Sequence, residues 1–497
     1  MNAKKFYVTC AIPYVNAAPH IGHALEFIQG DVIARYHALL GEETLLLSGG
    51  DENALKNVQA AEKAGLPLQE FIDTNTDKFH TLTNALGCRF DVWQKGSDTD
   101  HHFKASQKLW NLCKKDDIYS KSYEGLYCVG CETFYAQDEL NDNGECFEHP
   151  GKKLESVKET NYFFRLSDYQ KDILRILETG QLKIVPEKRK NEVIAFVKRG
   201  LDDISISRSN ARAKNWGVPV PGDDTQRMYV WFDALNIYQS GVGFGWDEEK
   251  YNTWWPADVH VIGKGITRFH AVYWPAFLLS AGLQLPKAIF VHEYFTVNGQ
   301  KMSKTLGNVI DPISLIEKYG AEPLRYYFLA KFSPFNDGDF SEDEFKKVYN
   351  ADLANGLGNL VARVAKLCES LPQNYAVHEL RTAFDTDAHK GRSATLSEYE
   401  KKFEDAMNRF AFNDALSSLW EEIKKLDAEI SDVKPWEYAK KPERIKEIQA
   451  FLVSTVATIK KIATHLKPFM PITAQKIIEQ FSGPTIASQT PLFPRIS

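Results

Sequence analysis

The sequence predicts an α/β protein whose parallel sheet is interrupted by an inserted segment and followed by an all-helical region. Three observations predict this. Apolar strand patterns alternate with amphipathic helices in two separate stretches of the chain. Two short pairs of metal-ligand residues lie between those stretches. Beyond residue 340, strand patterns give way to helical periodicity.

The first stretch begins with an apolar strand at 6–10 and an amphipathic helix, in which Leu25, Ile28 and Val32 share one face. A second strand follows at 44–47. The later stretch contains predicted strands at 228–232, 259–262 and 288–291. A hairpin is predicted to turn at Asn298-Gly299, and three helical segments (345–371, 398–430 and 444–466) form a predicted bundle.

Composition excludes several classes of protein. The 497 residues are 43% hydrophobic and 25% charged, as in soluble globular proteins. No apolar run reaches the ~20 residues of a membrane span. The first residues lead directly into a strand and do not read as a signal peptide, so we expect a cytoplasmic protein with no membrane partner. The net charge of −6 indicates no general affinity for nucleic acid.

Two histidines lie where the first strand turns into the first helix, in His20-Ile21-Gly22-His23. A helix N-terminus presents free N–H groups to anions, and Gly22 would let a flat ring approach the backbone. His20 and His23 could therefore donate hydrogen bonds to phosphate oxygens. Two surface histidines would be the commoner interpretation of this motif by itself.

Asp51 follows two glycines at the end of the second strand, where it could pair with an ammonium group or a ribose hydroxyl. Capping of the next helix explains it equally well on local grounds.

The inserted segment carries Cys128 and Cys131, then Cys146 and His149, in a CxxC…CxxH pattern. Three thiolates and one imidazole fit tetrahedral Zn²⁺ and leave no position for water, so a structural zinc is predicted. Seven cysteines in a cytosolic chain of this length argue against a disulfide framework.

The pattern as a whole resembles the class I aminoacyl-tRNA synthetases and, among them, the methionyl-tRNA synthetases. The motifs that carry the resemblance are PYxNxxxHIGH after the first strand, the zinc knuckle, Y-V-W-F-D-A-L at 229–235, the Phe269-His270 helix and K-M-S-K-T at 301–305. The resemblance implies a Rossmann-type catalytic domain in two halves (1–115 and 226–340). It places a connective insertion at 116–225 and a helical anticodon-binding domain at 341–497.

The implied reaction joins methionine to ATP as methionyl-adenylate and then transfers it to the 3′-terminal adenosine of tRNA(Met). The resemblance places His20, His23, Lys301, Ser303 and Lys304 on the ATP phosphates and Gly22 against adenine. It also implies Mg²⁺ bound with ATP and one structural Zn²⁺.

The same comparison implies an aromatic methionine pocket. Asp51 would hold the α-ammonium group, and the remaining positions that match are Ile12, Tyr14, Trp231, Ala234, Leu235, Tyr238, Ile266 and His270. A thioether is soft and apolar, which suits such a lining. Without the resemblance, the stripe around Phe269 and Trp274 would be interpreted as core packing.

For the anticodon, the family signature falls on Asn359, Arg363 and Trp436, with CAU as the implied anticodon. Asn359 and Arg363 share one helical face, and Trp436 could stack on an unpaired base. A core role for Trp436 would be commoner for an isolated Pro-Trp pair. Some relatives add a C-terminal dimerising module that does not follow the bundle here, so a monomer is expected.

Several positions depart from the family pattern. The second strand is followed by Asp51-Glu52-Asn53-Ala54 where DEHG is common, and Gly265 stands where an acidic residue often follows Gly-Lys. Thr305 replaces a serine and keeps its hydroxyl. Position 235 is Leu, as in one branch of the family.

Alternatives are less consistent with the sequence. Synthetases for leucine, isoleucine or valine resemble each other in carrying a large editing domain, for which an insertion of about 110 residues has no room. A cysteine enzyme would place zinc in the substrate site. A nucleotidyltransferase without a tRNA role does not explain the bundle signature, and a non-catalytic RNA-binding paralogue does not explain both histidines and both lysines.

Overall fold

The computed structural model describes residues 4–128, 130, 133–135, 137–148, 151–302, 308–371, 396–438, 441–483 and 486–497. The chain forms two compact units, Met1–Tyr294 and Phe295–Ser497. The predicted division into four parts at residues 115, 225 and 340 stays a prediction.

The first unit is built around a parallel sheet. Its strands, in chain order, are β1 Lys5–Cys10, β2 Glu43–Gly50, β3 Val92–Lys95, β4 Ile118–Cys128, β5 Thr133–Tyr135, β6 Glu155–Phe164, β7 Lys183–Val185, β8 Ile204–Ser205, β9 Ser207–Ser209, β10 Pro219–Val220, β11 Asp223–Met228, β12 Val259–Gly263 and β13 Ala288–His292. Six of these described strands form the main sheet, in the order β3-β2-β1-β12-β13-β7. Every pair in it is parallel.

Helices cover this sheet, as its buried apolar strands require. They are α1 Ile21–Leu39, α2 Leu55–Ala64, α3 Leu68–Ala85, α4 His102–Leu112, α5 Gln170–Thr179, α6 Glu187–Lys198, α7 Asn210–Ala213, α8 Val230–Ala234, α9 Ile237–Ser240, α10 Glu248–Trp254 and α11 Trp274–Ser280. Short 3₁₀ turns occupy Lys115–Asp117, Gln137–Glu139, Leu166–Tyr169 and Lys264–Ile266, and a π-helical turn occupies Phe269–Tyr273. The predicted strands at 6–10, 44–47, 259–262 and 288–291 are confirmed.

The order of strands reverses between β1 and β12. β1 pairs with β2 on one side and with β12, from much later in the chain, on the other. In doubly wound sheets, ligands bind outside the carboxyl ends of the strands at such a reversal. This topology places the turn after β1 and the turn after β12 at a ligand-binding position.

The predicted strand at 228–232 is wrong. β11 ends at Met228, and Val230–Ala234 forms the helix α8, whose Asp233 N–H bonds the Tyr229 carbonyl at 3.1 Å. A short apolar run has no periodicity that separates a buried strand from a buried helix. α8 carries Trp231 and Ala234 one turn apart, Leu235 follows it directly, and Tyr238 lies on the next helix, α9.

Two further sheets occur in the first unit. β4 and β6 form a long antiparallel ribbon flanked by β5 and β8, and β10-β11-β9 form a small separate sheet. The ribbon carries the segment in which the zinc knuckle is predicted.

The second unit begins with the predicted hairpin. β14 Phe295–Val297 and β15 Gln300–Lys301 are antiparallel, and Asn298 and Gly299 turn with φ of 51° and 75°, as a type I′ turn requires. β16 Gly338–Phe340 pairs parallel with β14. The hairpin prediction is confirmed for the described residues.

The other elements among the described residues of the second unit are helices. They are α12 Pro312–Tyr319, α13 Ala321–Lys331, α14 Glu342–Val348, a π-helical segment Tyr349–Gly358, α15 Asn359–Glu369, then Glu398–Asn408, Phe412–Val433, Pro435–Tyr438, a 3₁₀ turn Pro442–Arg444, Ile445–Leu466 and Pro471–Gln480. The predicted segment 398–430 is two helices, broken where Phe410 adopts φ of 59°. The other two predicted segments, 345–371 and 444–466, are helical, whereas the helices Pro312–Tyr319, Ala321–Lys331 and Pro471–Gln480 were not predicted. None of the helices within the described ranges has both the length and the apolar character of a bilayer span.

Candidate functional site

His20 and His23 hold the N-terminus of α1 at the strand reversal. His20 is the N-cap residue, and its Nδ1 accepts the Gly22 backbone N–H at 3.1 Å. The Nδ1 of His23 in turn accepts the His20 backbone N–H at 3.2 Å. Burial, followed by the electrostatic influence of the neighbouring His20, holds the pKa of His23 well below its usual range. Both side chains are half-buried and structurally engaged, so they are not ordinary surface histidines.

These hydrogen bonds determine the tautomer of each neutral ring. An Nδ1 that accepts a hydrogen bond carries no proton, so a neutral imidazole must carry it on Nε2. His20 and His23 can therefore each donate one Nε2–H without being charged. Donors at a helix N-terminus suit a phosphate, because the helix dipole adds to the attraction.

Asp51 follows β2 and lies beside the turn after β1. It forms a parallel bridge with Tyr14, and its backbone N–H donates to the Pro13 carbonyl at 2.9 Å. The side chain is only 2% exposed. The capping interpretation of Asp51 is wrong, because α2 begins at Leu55 with Ala54 as N-cap. The structure therefore places this carboxylate at the same strand ends as the histidine pair.

An aromatic cluster lines the same edge of the sheet. Trp231 stacks on Phe269 with ring centroids 3.8 Å apart, and Tyr14 meets Trp231 edge-on at 6.4 Å. His270 also meets Trp231 edge-on, at 6.2 Å. Phe269 and His270 belong to the π-helical turn, a feature that occurs frequently at functional sites. Phe269 and Trp274, which would be interpreted as core residues from their spacing, are both buried, and Phe269 also belongs to this cluster.

His270 is neutral and joined to Tyr238. Its Nδ1 lies 2.9 Å from the Ile266 carbonyl oxygen and so donates to it, while its Nε2 accepts the Tyr238 hydroxyl at 2.8 Å. Burial lowers the pKa of His270 to about 4. The cluster therefore contains a fixed, uncharged hydrogen-bond chain, which an apolar substrate tolerates better than a charge.

The remaining predicted pocket residues lie in the same region. Trp231, Leu235 and Tyr238 belong to one buried apolar cluster, against which Ile12, Tyr14 and Ile266 pack. Ala234 is 4% exposed and lies on the same short helix as Trp231.

Sequence reasoning noted Asn53 as a departure from the family pattern but missed its role beside the site. Its Nδ2 donates to the Gly96 carbonyl at 2.7 Å and to Asp233 Oδ2 at 2.6 Å. The other oxygen of Asp233 lies 2.6 Å from His102 Nε2 and accepts the Ser106 hydroxyl at 3.1 Å. All these side chains are buried. The loop after β2, which departs from DEHG here, is thereby tied to α8. The sequence signals were the departure from DEHG at this loop and an aspartate within the apolar run 228–235.

Gly265 is explained by Tyr294. The Gly265 backbone N–H donates to the Tyr294 hydroxyl at 2.7 Å. A Cβ at position 265 would collide with that hydroxyl oxygen, so no other residue fits unless Tyr294 moves. Burial raises the pKa of Tyr294, and the nearby charge of Glu148 acts in the same direction.

Two of the four predicted zinc ligands are described, and they lie together. The sulfur atoms of Cys128 and Cys146 are 3.2 Å apart, and both residues are buried. Cys131 and His149 lie outside the described residues. Within the described part of the chain, no group of three or more His, Cys, Asp or Glu side chains is placed to hold a metal ion. Adjacent buried thiols fit the donor set of a zinc site.

The cationic motif lies in the second unit. Lys301 ends β15, where its backbone pairs with Thr296. Ser303, Lys304 and Thr305 lie outside the described residues.

Arg363 and Trp436 lie together on the bundle. The guanidinium of Arg363 stands 5.2 Å from the Trp436 ring and donates to Asp427 at 2.7 Å and Ser431 at 3.2 Å. Trp436 is 42% exposed, so the core interpretation of this residue is wrong. Asn359, one turn before Arg363 on α15, is exposed. The group therefore presents a flat aromatic ring and polar groups at the surface.

Comparisons with known proteins find relatives over nearly the whole chain. The family model described as tRNA synthetases class I (M) matches residues 6–365, and that of the anticodon-binding domain of tRNA ligase matches residues 393–497. Methionine–tRNA ligase of Thermotoga maritima is 38% identical over 96% of this chain and 75% of its own length. That of Brucella melitensis is 38% identical over 97% of this chain and 93% of its own.

A solved structure is similar over nearly the whole chain. Mycobacterium tuberculosis methionyl-tRNA synthetase in complex with methionyl-adenylate matches with a TM-score of 0.87 at 36% identity. The match covers 99% of this chain and all of that one.

Proposed function

This chain belongs to the methionine–tRNA ligase family of class I tRNA synthetases, and we propose which of its residues perform that family's reaction. The enzyme activates L-methionine with ATP and transfers it to tRNA(Met). In the first step a carboxylate oxygen of methionine attacks the α-phosphorus, the bond to the β-phosphate breaks, and pyrophosphate leaves. In the second, a hydroxyl of the 3′-terminal adenosine attacks the acyl carbon, and AMP leaves.

His20 and His23 bind the triphosphate through their Nε2–H groups. The observation that carries this assignment is the pair of Nδ1 hydrogen bonds at the helix N-terminus, which put the proton of each neutral ring on Nε2. The enzyme supplies no covalent nucleophile. Its rate enhancement therefore comes from positioning and from donors aimed at the charge that develops on phosphate oxygens. Gly22 contacts adenine. Mg²⁺ bound with ATP supplies further neutralisation of phosphate charge.

Methionine occupies the aromatic cluster. The Trp231–Phe269 stack and the edge of Tyr14 provide polarisable apolar surfaces for the thioether. Asp51 receives the α-ammonium group. The residues that complete the pocket are Ile12, Ala234, Leu235, Tyr238, Ile266 and His270.

Lys301, Ser303 and Lys304 form the cationic loop that acts on the leaving pyrophosphate. This assignment rests on the K-M-S-K-T motif and on the family, since the lysine side chains are not described.

Asn359, Arg363 and Trp436 read the first base of the CAU anticodon. An exposed tryptophan beside an arginine offers the stacking surface that single-stranded bases use. Arg363 is held by Asp427 and Ser431, which fixes the guanidinium beside the ring.

One structural Zn²⁺ is held by Cys128, Cys131, Cys146 and His149. Support comes from the CxxC…CxxH spacing and from the 3.2 Å separation of two buried thiols. A cytoplasmic location and a monomeric state stay predictions, and a stable dimer in a solution mass measurement would contradict the latter.

ATP–pyrophosphate exchange with each of the twenty amino acids tests the proposal. We expect exchange to be strongest with methionine. Absence of exchange, or stronger exchange with another amino acid, would overturn the assignment.

A further inference from the structure

Glu148 brings a carboxylate to the carboxyl end of the central strand β12. Its Oε2 lies 3.5 Å and its Cδ 3.6 Å from the point that a Cβ on Gly265 would occupy. Gly265 comes two residues after the end of β12. Glu148 itself comes from the inserted segment, between Cys146 and His149. A residue distant in sequence thus supplies the negative charge that residue 265 lacks.

The local packing explains why the acid does not come from position 265. Tyr294 accepts the Gly265 N–H at 2.7 Å, and its hydroxyl occupies the space into which a Cβ would project. An aspartate at 265 would force this ring away. A carboxylate that approaches from the insertion avoids the collision.

The end of β12 is a position where a nucleotide is expected. β12 pairs with β1, with Val8 opposite Val259 and Cys10 opposite Val261, and β1 leads to the histidine pair. In nucleotide-binding parallel sheets, an acidic side chain at a strand end accepts hydrogen bonds from ribose hydroxyls. We propose that Glu148 accepts hydrogen bonds from the ribose hydroxyls of ATP and does so in place of an acidic residue at 265.

The chemistry of the group fits this role. An ionised carboxylate is purely an acceptor with two oxygens, and the 2′ and 3′ hydroxyls of ribose are two adjacent donors. Glu148 is exposed, so a ligand can reach it. This inference rests on the proposed function, because it assumes that ATP binds beside the histidine pair.

The test compares ATP, 2′-deoxy-ATP and 3′-deoxy-ATP in methionine-dependent pyrophosphate exchange by the full-length enzyme. The variants are Glu148→Ala, Glu148→Gln and, as a matched control in the same segment, Asp142→Asn. A hydrogen bond to a charged group contributes about tenfold or more in affinity. We expect wild type to prefer ATP by about that factor over at least one deoxynucleotide. Glu148→Ala should lose this preference because its kcat/KM for ATP falls, while its kcat/KM for that deoxynucleotide stays the same.

Glu148→Gln, which keeps an acceptor but loses the charge, should fall between the two. The KM for methionine and the behaviour of Asp142→Asn should stay unchanged. A purely structural role would lower kcat/KM for all three nucleotides equally, and that result overturns the proposal. The proposal is also overturned if the wild-type enzyme uses ATP and both deoxynucleotides equally well, and this comparison needs no variant. Failure of the wild type to exchange at all would instead refute the proposed function.

Discussion

The Nδ1 atom of His23 accepts the backbone N–H of His20 at 3.2 Å, and the two imidazole rings lie 4.0 Å apart. One nitrogen of each ring is therefore committed to the helix N-terminus, and we assign the other, which carries the proton of the neutral ring, to the triphosphate. The two functions of a single histidine can be separated by substitution.

Replacing His23 with Asn keeps an acceptor near the Nδ1 position but removes the Nε2–H donor. Loss of one preorganised donor to a developing charge reduces kcat by about 10²–10³-fold. We expect this loss in pyrophosphate exchange, with the KM for methionine unchanged. His101→Asn, at an exposed histidine of the same unit, is the control. A His23→Asn enzyme within threefold of wild type would contradict the assignment of the donor.

His270 should make stability depend on pH. Burial lowers its folded-state pKa to about 4, below the ordinary value of 6.5, so between these values the unfolded chain binds more protons. The free energy of unfolding is therefore unaffected by His270 above about pH 6.5 and decreases as the pH falls towards 4, by about 2 kcal/mol at pH 5. Urea unfolding of wild type and His270→Gln at pH 7 and pH 5 measures this loss. An equal decrease in the free energy of unfolding in both proteins between these pH values would disprove the prediction.

Asn53→Ala should destabilise the first unit. The substitution removes hydrogen bonds to Gly96 and Asp233 and leaves the buried Asp233 carboxylate with one donor fewer. The expected cost is about 1–3 kcal/mol in the free energy of unfolding. Asn84→Ala, at an exposed asparagine on α3, should stay within ~0.5 kcal/mol of wild type. Denaturant titration compares the two, and similar values would show that the tether contributes little.

Trp436→Ala should impair only the second step. Stacking of a base on an aromatic ring contributes about 1–3 kcal/mol, which predicts a rise in the KM for tRNA(Met) of about 5- to 150-fold. Methionine-dependent exchange without tRNA should be unchanged. The variant should also discriminate less against a transcript whose first anticodon base is altered. Unchanged charging kinetics would remove Trp436 from the anticodon site.

Purified protein should contain about one zinc per chain by metal analysis. Cys128→Ser and Cys146→Ser should each lose the metal, because a tetrahedral structural site needs all four ligands. Cys113→Ala should retain it, since Cys113 is a buried thiol outside the knuckle whose pKa burial raises to about 12. Protein without zinc would refute the knuckle prediction.

Local features of the sequence were enough to predict β1, β2, β12 and β13 of the main sheet, the helix after β1, the Asn298-Gly299 turn and the three long helical segments of the second unit, but not β3 or β7. Each follows from backbone periodicity or from turn chemistry within a few residues. The motifs also singled out both histidines and the residues of the aromatic cluster. The resemblance to a known family, rather than spacing, assigned them roles.

The tertiary structure alone decided which partners those residues have. Asn53 and Asp233 are 180 positions apart, and no local pattern predicts that one will bond the other. The same holds for Tyr294 over Gly265 and for the helix that replaced the strand at 228–232. Periodicity reports which face of an element is buried, but the side chain it meets depends on how distant segments pack. The sequence therefore determined most of the long elements and the chemical groups of this enzyme, and packing determined the short elements and the contacts.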